Sequence, residues 1–154
     1  RLSDGEGIFV GSSSSCLCLV HGETVPSQYV PSRPFRVNAG AVHSYVMMGD
    51  GSTKYLCELS SGDQVAVYSG NGFTRIATIG RLKIERRPLL KISLESENFT
   101  GNILVQQAET VRLVTASGDP ISVTELKSGH EITVLNENGM RHIGKSIQGE
   151  VSEK

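Results

Sequence analysis

The sequence predicts a mainly β protein built as two similar small β-barrel-like modules related by internal duplication, with few or short helices. Three observations carry this. The 154 residues include 17 Gly but only 4 Phe, 4 Tyr and no Trp at 38% hydrophobic content, which suits short strands and tight turns better than a helical bundle. Turn signals recur at Gly49-Asp50-Gly51, Ser61-Gly62-Asp63, Gly70-Asn71-Gly72, Ser117-Gly118-Asp119-Pro120, Ser128-Gly129 and Asn138-Gly139. Finally, Glu58-Leu59 and Ser61-Gly62 return as Glu125-Leu126 and Ser128-Gly129, 67 residues later.

Taken in order, positions 1–38 read as amino-terminal strands and a linker continuing from a missing upstream domain, 39–105 as the first module and 106–154 as the second. Alternation through Cys16-Leu17-Cys18 puts both thiols on one face of a strand, where small hydrophobes belong. Strand-like runs on either side of Asn71-Gly72, and again around Asn138-Gly139, predict two hairpins. Upstream of them, Ala39-Gly40-Ala41-Val42 and Gly49-Asp50 match Ala108-Glu109-Thr110-Val111 and Gly118-Asp119 at a spacing of 69, a two-residue slip. Positions 81–87 alternate Arg81, Lys83, Glu85 and Arg87 against Leu82, Ile84 and Arg86, which predicts a strand that Pro88 ends or edges.

Net charge is -1, but 1–92 hold 10 Lys and Arg against 7 Asp and Glu, and 93–154 hold 5 against 9. The basic excess concentrates in 75–91, with six cations and one acid, Glu85. A globally basic nucleic-acid binder is therefore disfavoured, and no aromatic residue interleaves those cations for base stacking. No apolar run reaches membrane-spanning length. An odd count of three cysteines argues against a disulfide framework and for a reducing, cytoplasmic compartment, with a plastid as the alternative. No metal site is expected, because one C-x-C with His21 supplies too few spaced ligands.

The strongest chemical feature is Arg33-Pro34-Phe35-Arg36-Val37-Asn38-Ala39-Gly40. Two guanidinium forks three residues apart, with Pro34 fixing the chain between them, match a carboxylate or phosphate; a surface turn whose arginines pair with nearby acids is the plainer alternative. His43 lies three residues beyond as an acid or base, and His21 and Glu23 share a face of an extended segment. Gly5-Glu6-Gly7 with Gly11 and Ser12 to Ser15 is only superficially a phosphate loop, since Val10 stands where a third glycine belongs.

Taken together, Val10-Gly11-Ser12, Leu19-Val20-His21, the run from Arg33 to Gly40, Lys54-Tyr55-Leu56, Gly80-Arg81-Leu82-Lys83-Ile84-Glu85-Arg86-Arg87-Pro88-Leu89-Leu90, Ala108-Glu109-Thr110 and Val123-Thr124-Glu125-Leu126 resemble the archaeal-type (type II) 3-dehydroquinate synthase family, over its carboxy-terminal half. The resemblance implies an aromatic amino acid (shikimate) pathway enzyme. With NAD it oxidatively deaminates 2-amino-3,7-dideoxy-D-threo-hept-6-ulosonate, and the product cyclises to 3-dehydroquinate. On the matching positions, His21, Glu23, His43 and Lys83 become candidate acids or bases. Arg33, Arg36 and Asn38 become substrate-binding candidates, supported by Glu85, Arg86 and Arg87. The implied partners are a small-molecule carboxylate and the missing amino-terminal half, without which this piece alone is expected to be inactive. Ser12 to Ser15, Cys16, Cys18, Ala41 and Gln107 depart from the family pattern. The competing expectation is a non-catalytic β-barrel or scaffold module that contacts acidic partners or RNA through 75–91, and an oligomer is left open.

Overall fold

The computed structural model describes residues 2–26, 31, 33–34, 36–95, 100–136, 139–143 and 145–153, the last two stretches as backbone only. Its centre is a hairpin of β1 (Gly7–Ser13) and β2 (Cys16–His21), paired from Gly7↔His21 to Ser13↔Cys16. Residues 6–11 and 16–23 are all buried, so the hairpin is covered on both faces. Period two sorts its side chains: Ile8, Val10, Cys18 and Val20 enter one apolar cluster, and Phe9, Leu17 and Leu19 enter another.

Two sets of strands flank this hairpin. On the β1 side are β3 (Tyr45–Met47), β4 (Thr53–Tyr55), β5 (Gln64–Ser69) and β6 (Gly72–Thr78). A second, three-stranded sheet contains β7 (Pro88–Glu95) and β8 (Thr100–Gln106). On the β2 side are β9 (Arg112–Val114), β10 (Pro120–Ser122), β11 (Ile132–Asn136) and β12 (Gly139–Ile143); β13 (Lys145–Glu153) completes the second sheet in the order β13-β7-β8. The first sheet runs β10-β9-β2-β1-β3-β4, with β5 also on β1 and β11 also on β2. Leu90, Ile92, Leu94, Ile103 and Val105 from the second sheet join the cluster beneath the hairpin, so the two sheets share their main core.

The mainly β expectation holds: a three-residue 3-10 turn, Leu56–Glu58, is the helical element among the described residues. Both expected hairpins are present, β5 with β6 and β11 with β12, although Asn138 of the second turn lies outside the described residues. Two expectations are corrected. The sheets do not close into barrels among the described residues. The outer strands β4 and β10 are three residues long and pair on one side only, too short to carry a ladder around. Residues 79–87 also form no strand, and Pro88 begins β7 instead of ending a preceding strand.

Backbone pairing repeats across the two flanking sets. Tyr45↔Tyr55 and Met47↔Thr53 become Arg112↔Ser122 and Val114↔Pro120, and the bridge Met48↔Val65 becomes Thr115↔Ile132. The N–H of Ser44 donates to Ala41 O as Val111 N–H does to Ala108 O, and Leu56 N–H to Ser44 O as Val123 N–H does to Val111 O. Each of these pairing correspondences is a shift of 67. The partner of Gly118 (φ +91°) is Gly51 (φ +87°), because the left-handed turn position, not the dipeptide, is what repeats. Within the hairpin, Val10↔Val46 corresponds to Val20↔Leu113 and Gly7↔Tyr68 to Leu17↔Leu135, a shift of ten. The pairing pattern therefore has an approximate two-fold centred between β1 and β2.

Candidate functional site

Glu23, just past the end of β2, organises the arginine run. Its N–H donates to Arg36 O at 2.8 Å, its carbonyl accepts from Arg33 N–H, and Arg36 N–H closes a turn on Arg33 O at 3.0 Å. Pro34 occupies the second position of that four-residue turn, where its fixed φ is favoured, and its carbonyl accepts from Leu2 N–H. The turn therefore places both arginines beside one acid. Arg36 Nε lies 3.4 Å from Glu23 Oε2, close enough for an ion pair but not aligned as a hydrogen bond, and that buried oxygen has no hydrogen-bond partner among the described residues. Glu23 is buried whereas Arg33 and Arg36 are exposed. The Arg33 side chain and the terminal nitrogens of Arg36 engage no partner among the described residues.

Three further polar groups lie at the same end of the β1–β2 hairpin, and the sequence reading assigned none of them to the site. Glu6 is buried and takes Arg75 Nη1 on both carboxylate oxygens at 2.8 Å, while Oε1 accepts from Ser3 N–H. Burial works to raise its pKa, but the Ser3, Arg75 and Thr74 hydrogen bonds outweigh it and hold the carboxyl below its usual value. Arg112, half-buried at the start of β9, donates to Val25 O at 3.2 Å. Only the isolation of Glu6 in an otherwise small and apolar stretch could have flagged it, since Arg75 is 69 residues away.

His21, at the end of β2, bonds at both ring nitrogens to backbone groups. Its Nε2 accepts from Gly5 N–H at 2.7 Å and its Nδ1 meets Gly22 O at 2.6 Å, so the ring is neutral with the proton on Nδ1. Burial depresses its pKa, with the Arg112 charge adding to that and the Gly22 carbonyl and Asp4 opposing. Although His21 and Glu23 are neighbours, each is committed to its own partners. Asn38 donates to Gln106 Oε1 of β8 at 2.7 Å. His43 is exposed.

The other candidates stand apart. Glu85 joins Lys83, at 2.9 Å, and Arg87 on the exposed segment 80–87, and the Lys83 bond followed by the Arg87 charge holds its carboxyl low. No hydrogen bond or ion pair connects Lys83, Glu85, Arg86 or Arg87 to Glu23 or Arg36 among the described residues. A shallow depression of about 280 Å³ lined by Ser13, Lys91, Ser93, Glu95 and Asn102 sits at the opposite end of β1, about 20 Å away at strand rise. Cys16 and Cys18 are buried, with thiol pKa values pushed up by desolvation, as expected of hydrophobic fillers. No helix among the described residues is long and apolar enough to cross a membrane.

The described residues do not fit a dinucleotide cradle. Gly7 and Gly11 lie within β1, where a Cβ would come 1.9 Å from Val20 O and 2.3 Å from Cys16 O, so both serve close strand approach. Among the described residues no α-helix follows to offer its N-terminus to a pyrophosphate.

The family model described as the 3-dehydroquinate synthase II C-terminal domain matches residues 1–154. The 3-dehydroquinate synthase of Methanococcoides burtonii is 49% identical over 153 residues, covering 99% of this chain and 40% of that protein. That of Methanospirillum hungatei is 49% identical over 98% of this chain and 46% of its own length, and a 3-dehydroquinate synthase homolog of Aquifex aeolicus is 48% identical over 99% and 46%. The chain thus spans less than half the length of these relatives, and no solved structure matches it. By the family match and these identities, the chain belongs to the 3-dehydroquinate synthase II family, as its C-terminal domain.

Proposed function

We propose that this domain supplies the carboxylate clamp of an active 3-dehydroquinate synthase acting on 2-amino-3,7-dideoxy-D-threo-hept-6-ulosonate. The supporting observation is the turn at 33–36: Glu23 holds Arg36 through Nε, which leaves its terminal fork and the Arg33 fork to grip the substrate carboxylate. Burial of Glu23 removes competing water from its side of the guanidinium, and three backbone hydrogen bonds fix the spacing of the two arginines. Asn38, held by Gln106, would orient a carbonyl or hydroxyl of the same ligand, and exposed His43 would exchange protons with solvent. NAD, where the reaction uses it, belongs to the remainder of the protein, which also provides the surface that closes over this clamp. A cytoplasmic location follows from the same reading.

The test is steady-state turnover of the amino sugar acid by the full-length protein carrying Arg36→Ala. Loss of a charge-assisted bidentate contact worth roughly 1.5–3 kcal/mol predicts about a 10- to 100-fold fall in kcat/KM. Unchanged turnover in this variant would remove the clamp.

A further inference from the structure

Beyond the β6 strand, positions 80–88 are exposed without exception, including Leu82 at 43% and Ile84 at 72%. The repeat makes this segment anomalous. The bulge in β6 adds one residue that β12 lacks, so beyond it the two hairpins correspond at 66, Ala77 with Ile143. Moving 66 residues on from 79–87 gives 145–153, the whole of β13, which pairs with β7 from Lys145↔Glu95 to Glu153↔Pro88. The second set thus continues its hairpin into a paired strand, whereas in the first set Ile79 is tied to Gly62 and Asp63 and residues 80–87 have no ladder partner among the described residues. Its alternation is that of a strand, with Leu82, Ile84 and Arg86 on one side and Arg81, Lys83, Glu85 and Arg87 on the other.

We infer that residues 80–87 are a strand waiting for a sheet edge or groove on the amino-terminal part of the same protein, which seats Leu82 and Ile84. This rests on reading the chain as the C-terminal domain of a longer synthase, and the relatives supply the occupant, since more than half of their length lies outside this region. The charge pattern specifies the receiving surface. Glu85 sets one carboxylate against two cations, Lys83 and Arg87, and the side chains of Arg81 and Arg86 have no partner among the described residues, so the segment carries a positive excess and the partner surface offers carboxylates beside an apolar strip. Phe73, 56% exposed, and Ile76, 46% exposed, extend the interface onto β6, which among the described residues pairs with β5 alone.

Amide hydrogen exchange of the full-length protein tests this. The amides of 80–87 are expected to be protected about 100-fold or more over an unstructured chain, independently of protein concentration. Ile84→Asp, at a side chain that is exposed within this domain, is expected to reduce that protection at least about tenfold and to split unfolding into separate transitions for the two parts. Exchange of 80–87 at the unstructured rate would overturn the inference. So would protection that vanishes on dilution, which assigns the surface to a second copy, or protection that appears only with RNA. An Ile84→Asp protein with full protection and one transition would do the same. Protection in a protein without synthase turnover leaves the docking intact and counts against the catalytic reading alone.

Discussion

Acidification should loosen the amino-terminal segment through His21. The ring accepts from Gly5 N–H at Nε2 and donates from Nδ1 to Gly22 O, so a second proton can only enter at Nε2, facing a donor. The Gly5 bond is then lost and a buried N–H group is left unsatisfied. A lost hydrogen bond costs about 1 kcal/mol and an unsatisfied buried donor about 1–3 kcal/mol, so the effect is on the order of 2 kcal/mol. The sign follows from the depressed pKa. The folded state binds the proton less readily than the unfolded chain, so the His21 contribution is fully present above the ordinary value of 6.5 and is lost as pH falls toward its lowered folded value. Denaturant unfolding of the protein between pH 7.5 and pH 5, compared with His21→Gln, measures it. Gln keeps an acceptor for Gly5 but does not titrate, so its stability should be flat where that of the parent falls. A folded-state NMR titration of His21 at or above 6.5, or a ring carrying its proton on Nε2, would refute the reasoning.

Three other perturbations follow from the same geometry. Glu6→Gln removes a charge from a buried carboxylate bound to Arg75, whose side chain is 39% exposed; solvent screening places the cost near the low end of 1.5–3 kcal/mol, read as a lower denaturation midpoint, and the depressed carboxyl makes this contribution fade as pH falls below the ordinary 4.5. Gly7→Ala forces a methyl to within 1.9 Å of Val20 O unless the central hairpin opens, and a loss of about 3 kcal/mol or failure to fold is expected in thermal unfolding. A thiol reagent under native conditions should label exposed Cys57 promptly, with Cys16 and Cys18 following only at the rate of unfolding.

Where chemistry is local, the sequence reading succeeded. Pro34 between two arginines specified a turn, and a turn is what holds them; the Asn-Gly signals placed both hairpins; period two through Cys16 and Cys18 placed them in the core. What depends on distant partners was hidden. Arg81 to Arg87 has a strand pattern, but pattern alone supplies no ladder. His21 carries the residue type of a catalyst, yet which of its nitrogens bears the proton turns on the Gly5 amide, 16 residues back. The Glu6–Arg75 pair joins positions whose association only the sheet creates.

The two-fold pairing around the central hairpin also bears on assembly order. β1 and β2 are joined by a turn of two residues, so their ladder closes with little loss of chain entropy, whereas the contact Val20↔Leu113 must close a loop of 93 residues. Symmetry in the finished sheet therefore conceals asymmetry in time. During synthesis the hairpin can recruit β3 to β6 while the second set is still unmade, leaving the β2 flank as an open apolar edge until residues 112–136 emerge to cover it. That interval is when the nascent chain is most exposed to mispairing, and the one in which a chaperone would have the most to bind.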